Sequence, residues 1–212
     1  MIQHPPLTDV ASLRRAIADD PNLLLKDINE AVSNAQRISS EFSLGRAMTL
    51  VEYPQFKDLF QSNASNILLV NGHMQLNHEH ETTSPLTVVS WVLHGMLAAN
   101  DNALPLFHLC GQHIHPGDPY CGLAGTLRCL NSQLLSANPE SVNTVFLDDN
   151  FMRNLESRDI NTLCQLLLIL VPRSSKKAVF ILIDGFTIAE GSTSQANISL
   201  LFQFLGGLGQ ST

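Results

Sequence analysis

Residues 178–185 read Ala-Val-Phe-Ile-Leu-Ile-Asp-Gly, an unbroken run of large apolar side chains closed by an Asp-Gly pair. Branched and aromatic residues without polar alternation describe a strand covered on both faces, the pattern of parallel sheets flanked by helices. Asp184 then stands at the carboxyl end of that strand, the edge on which open α/β sheets seat their ligands.

The neighbouring stretches fit the same plan. Upstream, Asp159 is placed to cap a helix over 159–171 that Pro172 breaks. Residues 103–110 form a second apolar strand ending at Gly111, and after the Pro116-Gly117-Asp118-Pro119 turn, Leu123, Leu127, Leu130, Leu134 and Leu135 recur at helical spacing. Ser84-Pro85 marks another helix start, followed by Leu86, Val89, Trp91, Val92, Leu93, Met96 and Leu97. Before it, 66–72 reads Asn-Ile-Leu-Leu-Val-Asn-Gly, a third strand buried on both faces, with a long polar loop behind it. A last helical pattern over 198–205 dissolves into Gly206-Gly207-Leu208-Gly209.

Residues 1–62 carry helix-period patterns and no strand. Thr8 and Asp9 precede Leu13 and Ile17; Asp20-Pro21 precedes Leu23, Leu24, Leu25, Ile28 and Val32; further helical stretches fall on 44–48 and on 54–60, where Phe56, Leu59 and Phe60 share a face. The expected class is therefore α/β, a parallel sheet with helices on both faces, spanning 63–212 and preceded by a helical N-terminal segment over 1–62.

Composition narrows the function classes. The 212 residues carry 12 basic against 19 acidic side chains, a formal charge of -7, and are 44% hydrophobic. That supports a sizeable core and leaves no basic stripe for a phosphate backbone or an anionic membrane surface, so neither nucleic acid nor membrane is expected as a partner. The longest apolar run, 166–171, is far shorter than the roughly 20 residues that cross a bilayer. The polar start Met1-Ile2-Gln3-His4-Pro5-Pro6 lacks a signal-peptide apolar region, and Cys110, Cys121, Cys129 and Cys164 read as reduced thiols, which together point to a cytoplasmic protein.

The chemistry must lie at the strand ends. Gly72 opens the loop where a phosphate-cradling P-loop would sit, but counting from it puts Asn77, His78 and Glu79 where the second Gly, the Lys and the Ser/Thr are required. Glu79 and Glu81 would repel a polyphosphate there, and His73, His78 and His80 offer little to offset them. Asp184 has the position of a carboxylate that holds the water shell of magnesium, yet Gly185, Phe186, Thr187 and Ile188 supply no second acid to activate water.

The order of these segments resembles the first half of the fungal STAND/NACHT-like P-loop NTPase domains, which run from a short helix through a Walker A strand to a D-G-x-D-E Walker B. The matching residues are 66–72, 104–111, the leucine-rich helix around Gln133, 163–172 and Asp184-Gly185-Phe186, within a region from about Pro54 to the end. The departures are the missing Walker A lysine and hydroxyl, and Thr187 and Ile188 in place of the paired acids. The resemblance implies the fold rather than turnover, with no catalytic residue, Gly72, Ser84 and Asp184 as remnants of a nucleotide site, and ATP or GTP with magnesium bound weakly at most. It also implies a truncated domain. In the family's sheet a sensor strand lies between the Walker A and Walker B strands, so its absence leaves an open edge for a protein partner or a homo-oligomer.

Asp148-Asp149 after Val145-Phe146-Leu147 is a rival Walker B. His108, Cys110, His113, His115 and Cys121 are dense in soft ligands but lack zinc spacing and read as core or loop polar residues; His78-Glu79-His80 reads as solvated loop. No G-x-S-x-G elbow is present. The expected function is a catalytically inactive, nucleotide-binding-like regulatory module. The alternatives are an interaction scaffold without a small ligand and, more weakly, a residual nucleoside-triphosphate hydrolase.

Overall fold

The computed structural model describes residues 9–38, 45, 48–62, 64–70, 83–142, 147–186 and 195–208. Helix α1 (Val10–Ala16) and helix α2 (Leu23–Ile38) are followed by a 3-10 turn, Thr49–Glu52, and by α3 (Pro54–Gln61) and α4 (Pro85–Ala98). Strand β1 (Ala103–Leu109) runs into a second 3-10 turn, Cys110–Gln112. Helices α5 (Gly122–Ala137), α6 (Asp149–Glu156) and α7 (Ile160–Leu170) then lead to β2 (Ala178–Asp184) and the last helix, α8 (Gln195–Leu208).

The starts of these helices follow from short polar side chains that accept otherwise unpaired N–H groups. Asp9 accepts from the Ser12 amide at 2.8 Å, Asp148 from Phe151 at 2.7 Å and Asp159 from Thr162 at 2.8 Å. Asp148 thus caps α6 through one carboxylate oxygen, and most of the apolar stretch before it, residues 143–146, lies outside the described residues. That helix, Asp149–Glu156, has no counterpart in the sequence reading, whose apolar pattern there is short.

β1 and β2 pair in parallel, with Leu106 opposite Ile181 and Leu109 opposite Asp184. Alternation sends Leu104, Leu106, Val179, Ile181 and Ile183 to one face, where they join a core built from α1, α5, α7 and α8. Phe107, Leu109 and Leu182 point the other way and meet Leu24, Ile28 and Ala31 of α2. On that side the His94 ring of α4 stacks on Phe107 with centroids 5.4 Å apart, and Phe60 of α3 stacks on Phe180 at 5.5 Å. The sheet therefore carries helices on both faces, and the core continues into the N-terminal helices, since Leu13, Ala16 and Ile17 belong to it.

Two details lock α5 in place. A Cβ on Gly125 would come within 2.0 Å of the Tyr120 backbone, so only glycine lets the helix approach that turn. Gln133 reaches over the outer edge of β1, its Oε1 accepting from the Phe107 amide at 2.8 Å and its Nε2 donating to the Phe107 carbonyl at 2.7 Å. A side-chain amide occupies the place where a further strand would pair, which satisfies both groups of that residue.

The third expected strand does not form. Residues 66–70 carry no strand pairing, and Ile67, Leu69 and Val70 are exposed. Four apolar residues between asparagines express strand propensity only when a neighbour offers a ladder, and among the described residues the sheet has two strands, β1 and β2. The closing helix also differs: α8 begins at Gln195 and continues through Gly206 and Gly207 to Leu208, held by Leu201 in the core. Of the expected helix over 44–48, residues 44, 46 and 47 lie outside the described residues, as does the 71–82 loop.

Candidate functional site

The carboxyl ends of β1 and β2 face the beginning of α4. Asp184 is the last residue of β2, and Gly185 at φ 70° turns the chain away in a conformation that favours glycine. Ser84 caps α4 in a reciprocal box: its hydroxyl accepts from the Thr87 amide at 3.3 Å, while its own amide donates to Thr87 Oγ1 at 3.0 Å. The Thr87 hydroxyl spends its proton on Asp184 Oδ2 at 2.7 Å. Ser84 and Asp184, read separately from the sequence, are thereby joined through a residue that the sequence reading passed over. Gly72, the third residue of that set, lies outside the described residues.

Burial pushes the Asp184 carboxyl above its ordinary range, and the Thr87 hydrogen bond offsets only part of that. In the turn just after β1, Cys110 is buried, lies 3.9 Å from the Thr126 hydroxyl, and has its thiol pushed up to about 12 by burial, so it is no thiolate nucleophile at neutral pH. Gln112 Nε2 donates to Thr83 Oγ1 at 3.4 Å, closing the rim between the loop after β1 and the start of α4.

A second polar group lies beneath the loop that follows β1. His113, 6% exposed, places Nε2 3.0 Å from Asp27 Oδ2 on α2 and Nδ1 2.8 Å from Asp118 Oδ2. His108 of β1 stacks parallel to its ring at 5.3 Å, and Tyr120 packs at 5.6 Å. Burial works to lower the His113 pKa, but the hydrogen bonds and charges of the two carboxylates outweigh it, so the net direction is up. His108 goes the other way, to about 3, through burial and then the charge of His113, and stays neutral.

Behind Tyr120 the Arg128 guanidinium donates to the carbonyls of Ile17 at 2.7 Å, Ala18 at 3.2 Å and Pro119 at 2.5 Å, and lies 5.1 Å from the Tyr120 ring centre. It holds the C-terminal end of α1 against α5, a place where a cation also complements the helix dipole.

The soft-ligand cluster of the sequence reading thus separates. His108 and His113 meet, Cys110 turns to Thr126, His115 is exposed and Cys121 precedes α5. Among the described residues no group of three or more His, Cys, Asp or Glu is arranged to hold a metal ion. His78, Glu79 and His80 lie outside them.

Thr87, Asp27 and Arg128 were the residues missed. Thr87 had a signal in the spacing Ser84-x-x-Thr87 at a helix start, and Asp27 had one as a carboxylate set within the apolar stripe of Leu23, Leu24, Ile28 and Ala31. Arg128 lay inside a leucine-rich helix with no local partner to announce it. Among the described residues no helix is long and apolar enough to cross a membrane. Comparison with family models, curated proteins and solved structures gives no match.

Proposed function

We propose that the chain is a non-hydrolysing, P-loop-NTPase-like regulatory module. The observation that carries this reading is the Thr87–Asp184 hydrogen bond of 2.7 Å, which brings the first turn of a helix and the end of a parallel strand to one rim. In a phosphate site those two positions supply a hydroxyl and a carboxylate to magnesium. Here they are bonded to each other, and the carboxylate itself occupies the electropositive start of α4 that would attract a phosphate.

That arrangement does not fit a firmly held magnesium nucleotide. A carboxylate kept where burial disfavours its charge is a costly residue for structure alone, which supports a role at this rim. ATP or GTP with magnesium then binds weakly, and the regulatory output goes through a protein partner.

A second reading, an interaction scaffold with no small ligand, is favoured by α4. This helix is apolar nearly all round yet leaves Trp91, Val92 and Met96 exposed. Calorimetry with ATP, ADP and GTP, each with magnesium, separates the two. Weak binding without phosphate release that Thr87→Val or Asp184→Asn alters supports the first reading. Absence of heat at millimolar nucleotide leaves the scaffold. Phosphate release that depends on Asp184 would overturn both.

A further inference from the structure

The Asp27–His113–Asp118 group joins two pieces of chain that are remote in sequence, α2 and the loop after β1. Carboxylates accept hydrogen bonds and do not donate them, so an imidazole with a carboxylate oxygen on each nitrogen is satisfied only when both nitrogens carry protons. Neutral His113 has one N–H, so either Asp27 loses the ring donor or Asp118 keeps only the Tyr120 amide. For Asp27, 5% exposed, that removes the ring N–H that satisfies it in the interior, and a buried polar group that loses its hydrogen bond destabilises the fold.

Every other group facing the ring leaves the switching to His113. His108 from β1 is neutral, and its stacked ring at 5.3 Å brings no charge. Tyr120 from the loop packs against the His113 ring at a tilt, and its hydroxyl donates to the Ala18 carbonyl at 3.0 Å. Arg128 from α5 lies beyond Tyr120 and is committed to backbone carbonyls. The Asp118 carboxyl, also accepting from the Tyr120 amide at 2.7 Å, is held below its ordinary value: burial would raise it, but His113 and that amide prevail.

What the group holds is α2. Among the described side chains that helix meets Phe107 and Leu109 through Leu24, Ile28 and Ala31 and packs Leu23 on Tyr120 and Cys129, a small apolar contact beside the core on the opposite face. We propose that Asp27, His113 and Asp118 form a proton-operated latch that fixes α2 across β1 while His113 is protonated, and frees α2 to uncover Phe107 and Leu109 when that proton leaves.

The folded value of His113 is raised above the ordinary 6.5, so the latch is fully closed below 6.5 and is lost as pH rises through the folded value. At the acid end Asp118, whose folded value is lowered, keeps its contribution above 3.8 and loses it as pH falls through its folded value.

The test follows the His113 ring by NMR, and amide exchange of residues 23–34 relative to α5 after correction for intrinsic rates, from about pH 6 to about pH 9. The expected result is a His113 midpoint above 6.5, with relative α2 exchange rising by up to about tenfold per pH unit between 6.5 and that midpoint. Asp118→Asn, at a partly exposed position, should lower the midpoint and narrow that span; His113→Gln should abolish the pH dependence. If the glutamine variant fails to fold, the Asp118→Asn shift decides. A midpoint at or below 6.5, or α2 exchange that stays parallel to α5 throughout, overturns the latch.

Discussion

Leu106 and Phe107 are neighbours on β1, yet they look into different surroundings. Leu106 enters a dry assembly of leucines from α5 and α7 with α1 and α8 behind them, almost all of it shielded from solvent. Phe107 meets a thin layer made of α2 and the half-buried α4, and the polar groups around Asp184 and His113 lie near the carboxyl ends of the strands. One face has the material for stability, since each fully buried leucine contributes about 1.5–3 kcal/mol. The other is shallow, and its contacts involve groups that titrate. Regions that open or bind are drawn from the less stable part of a fold, and here that part is α2 with the carboxyl rim.

The largest expected effect tests the leucine face. Leu167→Ala should lose about 2–5 kcal/mol in denaturant unfolding, and Leu182→Ala on β2, half-buried on the shallow face, clearly less. Equal losses would erase the contrast. Arg128→Met comes next, at about 3 kcal/mol, because three backbone carbonyls lose a charged donor. Limited proteolysis should then cut first near α1, marking that helix as the piece the guanidinium holds.

Asp184→Asn is expected to be smaller and opposite in sign. A carboxyl whose folded value is raised contributes most below 3.8 and loses that contribution as pH rises through the folded value. Asparagine does not titrate and still accepts from Thr87. The variant should therefore match or exceed the parent in melting temperature at neutral pH and lose that advantage as pH falls through the folded value toward 3.8. The smallest effect belongs to Met96→Ser on the outer side of α4, within about 0.5 kcal/mol if that surface meets only solvent. A larger change would mean the methionine is covered.

These contrasts were unevenly legible in the sequence. The Val179–Ile183 run and the caps at Ser84 and Asp159 could be read because their causes are local: side-chain alternation, or its absence, and a hydroxyl or carboxylate ahead of a helix. The expected strand over 66–72 failed for the opposite reason, since an apolar run becomes a strand only through a partner that local sequence does not specify. Ser84 and Asp184 were recognised, but the Thr87 hydroxyl that joins them acts across 97 positions. Asp27 and His113, 86 positions apart, form a pair that only the tertiary fold brings together.

The Gln133 amide on Phe107 has a consequence for assembly. At Phe107 the outer edge of β1 is already occupied by a side chain, and among the described residues no strand lies beyond β2. A strand adding to the outer edge of β1 would have to displace that amide before it could reach either backbone group of Phe107.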